Sequence, residues 1–301
     1  MTSKTIKTAP LFVLLGAMLW GTIGTAQAFA PDIANPLTIG ATKIAIGGFA
    51  LLVISFFRGT LKIDKSWPIL STMIAAIGMA AYQPLFFIAV SKIGIAIGTV
   101  VAVGSAPTIA GILSFFVRKE RPEKIWYVAT ILASLGCLFL FAPGSGGNVS
   151  ILGVLLALGA GLAYASYALA SKQLLDKYPS DVVEAVVCSI SAILLSPLFF
   201  IYKSTWLFEP RGILIALHLG LFATALAYLL FARGLASLPV ATVVTLTLAE
   251  PLTATFLGVF LVRERLAFSS LVGITFIFLG LLILSVGKKN ANNNGAKETE
   301  F

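Results

Sequence analysis

Long apolar runs separated by short polar stretches dominate this chain. Ten runs of about 17 to 25 residues are each long enough to cross a hydrocarbon core of roughly 30 Å at 1.5 Å rise per residue. They fall at 11–30, 37–57, 67–91, 95–117, 125–141, 151–171, 182–202, 212–236, 240–262 and 268–286. The pattern predicts an all-α polytopic membrane protein with ten transmembrane helices and no separate catalytic domain.

The runs carry an internal repeat. Pro107, Glu120 and Gly136 match Pro251, Glu264 and Gly280 at a constant offset of 144, and the surrounding stretches SAPTIAGILSFFVRKER and LAEPLTATFLGVFLVRER read alike. Trp20-Gly21 falls on Tyr164-Ala165 at the same offset. Five helices per copy, an odd number, require the second copy to lie upside down relative to the first, an architecture shared by many secondary transporters. The division is therefore a first five-helix repeat at 10–142, a second at 151–287, and a polar tail at 288–301, whose Asn-Asn-Asn-Gly stretch reads as disordered and cytoplasmic.

Composition agrees. With 58% hydrophobic and 11% charged residues, the chain has too little polar surface to cover a water-exposed globule. The net charge of +9 would suggest nucleic acid in a soluble protein, but its placement points to lipid instead. Alternating the loops puts 15 Lys and Arg on the side of the termini and 5 on the other, with Lys43 inside a span. By the positive-inside bias both termini are expected in the cytoplasm, in a multi-pass protein of the inner or plasma membrane.

Several other readings are weaker. Lys4, Lys7, an apolar run and Ala26-Gln27-Ala28 resemble a cleavable signal peptide, but the run is long for one, and its removal would break the repeat. Cys137 and Cys188 lie in apolar spans and, with the lone His218, offer no metal spacing. Asn148-Val149-Ser150 matches a glycosylation sequon in a loop too short to project from the membrane. Gly144-Ser145-Gly146-Gly147 lacks the lysine of a phosphate-binding loop, and no Ser/His/Asp set or paired carboxylates lie in the spans. Neither ATP use, catalysis nor any cofactor is expected.

The informative residues are the polar exceptions inside the spans. Glu250 is the acid nearest the middle of a helix, and its cost in lipid requires it to be protonated, paired or facing a wet cavity. A neutral acid bonded to a neighbouring helix and a functional proton carrier both satisfy this. Pro251 frees the carbonyl of Thr247, as Pro107 frees that of Val103, so the matched breaks read either as facing half-sites or as packing kinks. Pro84 and Pro197 have no repeat partner and read as kinks. Lys43, six residues into its span, either snorkels outward or sets a fixed positive charge near the outer mouth, where it could attract a carboxylate. Gln27 and Gln83 need hydrogen-bond partners, from a neighbouring helix or a substrate. Trp20, Tyr82, Tyr164, Tyr167 and Tyr228 sit well inside the bilayer rather than in an interfacial belt, which marks cavity wall or core. Gly153, Ala157, Gly161 and Ala165 form a small-residue ridge for close helix packing.

In these residues the chain resembles the drug/metabolite transporter superfamily, in its EamA-like family of ten-span transporters. The resemblance rests on Leu19-Trp20-Gly21, the stretch from Tyr82 to Ala89, Pro107 with Lys119-Glu120-Arg121, and Ala249-Glu250-Pro251 with Arg263-Glu264-Arg265, and spans residues 10 to 287. It implies two inverted halves, with spans 1 to 4 and 6 to 9 around a cavity and spans 5 and 10 outside. It further implies that Glu250, Pro251, Pro107, Trp20, Lys43, Tyr82, Gln83, Tyr164, Tyr167 and Tyr228 lie on cavity-forming helices, while Glu120 and Glu264 end helices in structural charge clusters. The chain departs from many relatives in having Lys43 in place of Arg, and its first copy has Ala106 where the second has Glu250. The expectation is a permease exporting a small metabolite, such as an amino acid, by alternating access, with a proton as candidate coupling ion. The alternatives are a carrier of sugar nucleotides or organophosphates, which would call for more buried cations than Lys43, an integral-membrane enzyme, or a membrane protein that transports nothing.

Overall fold

A computed structural model describes residues 3–61, 64, 66–141, 150–262 and 268–297. All ten expected runs contain helix. We number them α1 (Ser3–Ala28), α2 (Pro36–Phe57), α3 (Ile69–Gly94), α4 (Ile97–Arg118), α5 (Lys124–Phe141), α6 (Ile151–Leu175), α7 (Ser180–Ile201), α8 (Pro210–Ser237), α9 (Val240–Leu261) and α10 (Phe268–Lys297). Among the described residues nine are long and apolar enough to cross a membrane, and α5 is a shorter apolar helix. The last helix continues through Lys297, into the stretch whose composition reads as a disordered tail; 298–301 lie outside the described residues. So do the Gly144–Gly147 turn, Asn148 and Val149 of the sequon, Lys62, Lys65, and the cluster at Arg263, Glu264 and Arg265.

Local chemistry accounts for several helix ends. The Asn35 side chain accepts the Leu37 amide and Pro36 stands in the first helical turn, so α2 starts sharply. The Ser150 side chain caps α6 through the Gly153 amide. Between α3 and α4 the chain turns at Gly94, whose φ of 82° and ψ of 159° would strain any residue with a Cβ. Pro84 stays within continuous helix, whereas Pro197 coincides with a turn at Ser196-Pro197 that divides α7.

The packing obeys the inversion. An internal two-fold that exchanges α1–α5 with α6–α10 maps the α1·α8 contact onto α6·α3, and α1·α9 onto α6·α4. It also maps α2·α8 onto α7·α3, and the α2·α7 and α5·α10 contacts onto themselves; all of these are present. Matched glycines show the symmetry at atomic scale. A Cβ on Gly136 would lie 2.7 Å from the Gly273 carbonyl oxygen, and one on Gly280 would lie 2.7 Å from that of Ala129, the residue equivalent to Gly273. The backbones of α5 and α10 meet there directly, as small residues allow where lipid supplies no hydrophobic drive for association. The ridge on α6 serves the same purpose, with Gly161 against Ala102 and Ser105 of α4 and Gly153 against Ile93 of α3. Helices α5 and α10 pack on each other and on α4 and α9, so the remaining eight surround the centre.

Candidate functional site

The centre is a cavity in two continuous chambers. The larger, of about 490 Å³, runs from Trp20, Lys43, Tyr82, Gln83, Glu250 and Pro251 in mid-helix to Gln27, Pro36, Val90, Thr99 and Ala254. The latter stand toward the helix ends on the side away from the termini, so the cavity extends toward that side. The smaller, of about 60 Å³, lies deeper, against Met79, Ala106, Tyr164, Tyr167, Tyr228 and Thr247. Its floor is a cluster of rings. Trp20 meets Tyr228 at 4.9 Å, Phe231 at 5.3 Å and Tyr164 at 6.3 Å between centroids, and Tyr167 stacks on Tyr164 and Phe231.

Below this floor the two repeats are tied together on the terminal side. Arg118 at the end of α4 bonds Asp176 beyond α6 at 2.8 Å, and also Glu120 at 2.7 Å, which places Glu120 in a structural charge cluster. Thr60 donates to Asp181 at 2.8 Å, with Arg58 at 3.7 Å from the same carboxylate, and Tyr178 donates to Asp64 at 3.0 Å. These hydrogen bonds hold the Asp64 carboxyl below the usual carboxylate range, the bond from Ser66 most and that from Tyr178 next. No ion pair joins the repeats at the opposite end among the described residues. The described polar ties thus lie on the terminal side, and the cavity extends toward the other.

Backbone irregularity sits where the second repeat meets the cavity. Helix α9 is interrupted at Thr247-Leu248, immediately before Glu250-Pro251. The carbonyl of Thr247, expected to be freed by Pro251, instead accepts the Glu250 amide at 2.9 Å, so the break is locally satisfied. Pro107 stands on α4, which contributes to the cavity wall. It is buried in continuous helix and lines neither chamber; Val103 and Ala106 form that wall instead. The matched prolines therefore do not make matched half-sites, because α4 stays helical through Pro107 while α9 breaks before Pro251.

Lys43 and Glu250 share the cavity. Lys43 is 6% exposed and lines both chambers, so it does not snorkel to the bilayer surface. Glu250 is half-buried, lines both chambers as well, and is electrostatically coupled to Lys43. Their side chains form no ion pair within 4.0 Å, and neither has a hydrogen bond to another described group. An amine and a carboxyl thus face the same space without touching each other. Gln83 covers Gly40, the Tyr164 hydroxyl donates to Thr247 at 3.3 Å, and the Trp20 indole N–H is buried without a partner.

Three polar contacts escaped the sequence reading. Glu184, in the second turn of α7, is fully buried and accepts from the Tyr167 hydroxyl. Its place near the start of a span hid its depth. Lys172 turns inward and donates to the carbonyls of Leu235 and Ala236 at 2.7 and 2.9 Å, at the C-terminal end of α8. His218 bonds Thr22 at 3.0 Å, inside a π-helical stretch of α8 at 218–226.

Ten apolar helices in inverted fives, eight of them around a central cavity, define a polytopic membrane protein. The EamA-like transporter family matches residues 7–142 and 151–286, and the chain belongs to that family. It is 48% identical over 280 residues to an uncharacterized transporter, YwfM, of Bacillus subtilis (strain 168), covering 93% of this chain and 94% of that one. It is 27% identical over 261 residues to the threonine/homoserine exporter RhtA of Escherichia coli (strain K12), covering 85% and 84%. A solved crystal structure shares the fold with a TM-score of 0.81 at 21% identity, covering 94% of this chain and 98% of that one.

Proposed function

We propose that this protein is a secondary exporter of a small metabolite that carries both a carboxylate and an ammonium group, an amino acid or a close relative. One observation carries the reading: Lys43 and Glu250 face one cavity, unpaired with each other or with another described group. Left so, two half-desolvated charges are costly; a dipolar ligand would neutralise both, its carboxylate toward Lys43 and its ammonium toward Glu250. The rings of Trp20, Tyr82, Tyr164 and Tyr228 supply an apolar surround, with Gln27, Gln83 and Thr247 as polar contacts. A cavity of about 490 Å³ is within the usual range for small-molecule sites. The single cavity lysine argues against polyphosphorylated cargo, which would need several cations. The likeness to a protein named as a threonine/homoserine exporter supports the outward direction.

Movement follows from the inverted halves. Rocking one against the other would close the present opening and part the ties at Arg118, Thr60 and Tyr178, exposing the same cavity to the cytoplasm without ATP. Glu250 is also the candidate proton carrier, since a group that binds either a proton or the substrate ammonium links the two. The test is counterflow in proteoliposomes with a panel of amino acids, their methyl esters and the corresponding acids lacking the amine. Exchange of intact amino acids, lost in Lys43→Met and in Glu250→Gln, is expected. Exchange of the esters or the deaminated acids at equal rates would overturn the dipolar reading. Glu250→Gln should also abolish the response of any flux to an imposed pH gradient, and an unchanged response would remove it as proton carrier.

A further inference from the structure

Glu184 is a buried carboxyl that the proposed substrate site does not use. It is 0% exposed, and its two oxygens share one donor, the Tyr167 hydroxyl, at 3.0 Å each. Asp181, one turn earlier on α7, is treated differently, with the Arg58 guanidinium at 3.7 Å and the Thr60 hydroxyl at 2.8 Å. A carboxylate has about four lone-pair sites, and one phenol hydrogen fills at most one of them well. A buried anion left so is less favourable than the neutral acid, whose own O–H can return a hydrogen bond to the phenol oxygen.

Among the described residues the surroundings supply no compensating charge. Helix α7 packs against α2, α3, α6 and α8. The titratable groups that share the field of Glu184 are Tyr164 and Tyr167 of α6, Tyr228 of α8 and Cys188 of its own helix, all ordinarily neutral. The cations of these elements are engaged or placed elsewhere. Lys43 of α2 faces the cavity, Lys172 of α6 is held by two backbone carbonyls, and Arg118 by Glu120 and Asp176. Arg211 and Arg233 of α8 are exposed, Lys92 is exposed near the far end of α3, and His218 of α8 is bonded to Thr22.

Position gives this acid a role. The ring of Tyr167 belongs to the cavity floor, and Glu184 lies behind it, between the floor and the tie at Asp181 that holds the start of α7 to the first repeat. We propose that Glu184 is a second proton-binding site, which keeps its proton while the terminal-side face is shut and releases it to water when that face opens. Opening would break the Thr60–Asp181 bond, part α7 from the loop after α2, and hydrate the carboxyl; the O–H bond then breaks heterolytically, leaving Glu184 ionised and the proton on water. Closing reverses the step. Proton binding and closure of this face are therefore linked, so rising pH favours the open state.

The experiment measures opening directly and needs no substrate. Spin labels are placed on cysteines introduced at exposed Glu123 and Lys177, one in each repeat, after Cys137 and Cys188 are replaced by Ala, and the distance between them is followed against pH in nanodiscs. A longer-distance population that grows with pH is expected in this parent. It should be lost in Glu184→Gln, which keeps the shape and the phenol hydrogen bond but cannot ionise. A pH response that survives Glu184→Gln unchanged, or its absence in the parent, would overturn the proposal. If Glu184→Gln does not fold, Tyr167→Phe decides: loss of this donor must move the midpoint of the response, and an unmoved midpoint counts against the site.

Discussion

Replacing Gly280 with alanine tests the inverted packing at one point. In α10 the new Cβ would lie 2.7 Å from the Ala129 carbonyl oxygen and 3.1 Å from the Ala133 Cβ and amide nitrogen, all on α5. Ordinary contacts lie near 3.4 Å or beyond, so the two helices must part by roughly half an ångström, an overpacking that costs about 1–3 kcal/mol. Alanine also gains about 1 kcal/mol of helix propensity over glycine, which masks part of that cost. The same substitution elsewhere removes the ambiguity. A Cβ on Gly104 would find only the Cys137 Cβ, at 4.0 Å, so Gly104→Ala carries the propensity gain without the clash. The difference between the two sites is then the packing cost alone, about 1–3 kcal/mol. Gly136→Ala should cost at least as much as Gly280→Ala, because its Cβ meets the Gly273 carbonyl oxygen and the Ile277 Cγ1 and amide nitrogen all at 2.7 Å. The double variant should cost less than the two singles combined, since helices already parted accept the second methyl more easily. Thermal unfolding in one detergent, followed by tryptophan fluorescence, measures all four. Equal melting temperatures for the Gly104, Gly136 and Gly280 variants would refute the direct α5–α10 approach.

Other expectations concern the polar ties. Lys172→Met removes two charge-assisted hydrogen bonds to the end of α8 and should lower stability by about 1–3 kcal/mol, measured by thermal unfolding; an unchanged melting temperature would show that the bonds contribute nothing net. A double-mutant cycle on Arg118→Ala and Asp176→Ala should give a coupling of only about 0.2–1 kcal/mol, because the pair is partly exposed; a much larger value would mean that it is shielded from solvent. The Asp64 tie depends on an ionised carboxylate whose folded-state pKa is depressed, so its contribution is present above the unfolded value and lost as pH falls through the folded one. Wild type and Asp64→Asn should therefore differ in melting temperature at neutral pH and converge on acidification below the ordinary carboxylate range. Divergence on acidification would reverse the assignment.

The sequence by itself determined the membrane solution and its symmetry. Apolar length, the offset linking Trp20 to Tyr164 and Gly136 to Gly280, and the odd helix count follow from covalent order and the bilayer's demand that backbone groups be satisfied within helices. The same reasoning singled out Glu250 and Lys43, because a charge far from either end of an apolar run is conspicuous. Tertiary structure decided what those residues face. Lys43 had two destinations that differ only in how its stem is turned, and only the packed bundle shows it lining the cavity. Pro107 and Pro251 match in sequence, yet only Pro251 reaches a cavity wall, because the neighbours of each helix determine which side is packed and which is open. Glu184 is the clearest case. Position along the chain made it a helix-start acid near the membrane edge, while its burial and its bond to Tyr167 arise from helices brought together through space. Burial and partnership belong to neighbours distant in sequence, which a hydropathy pattern does not encode.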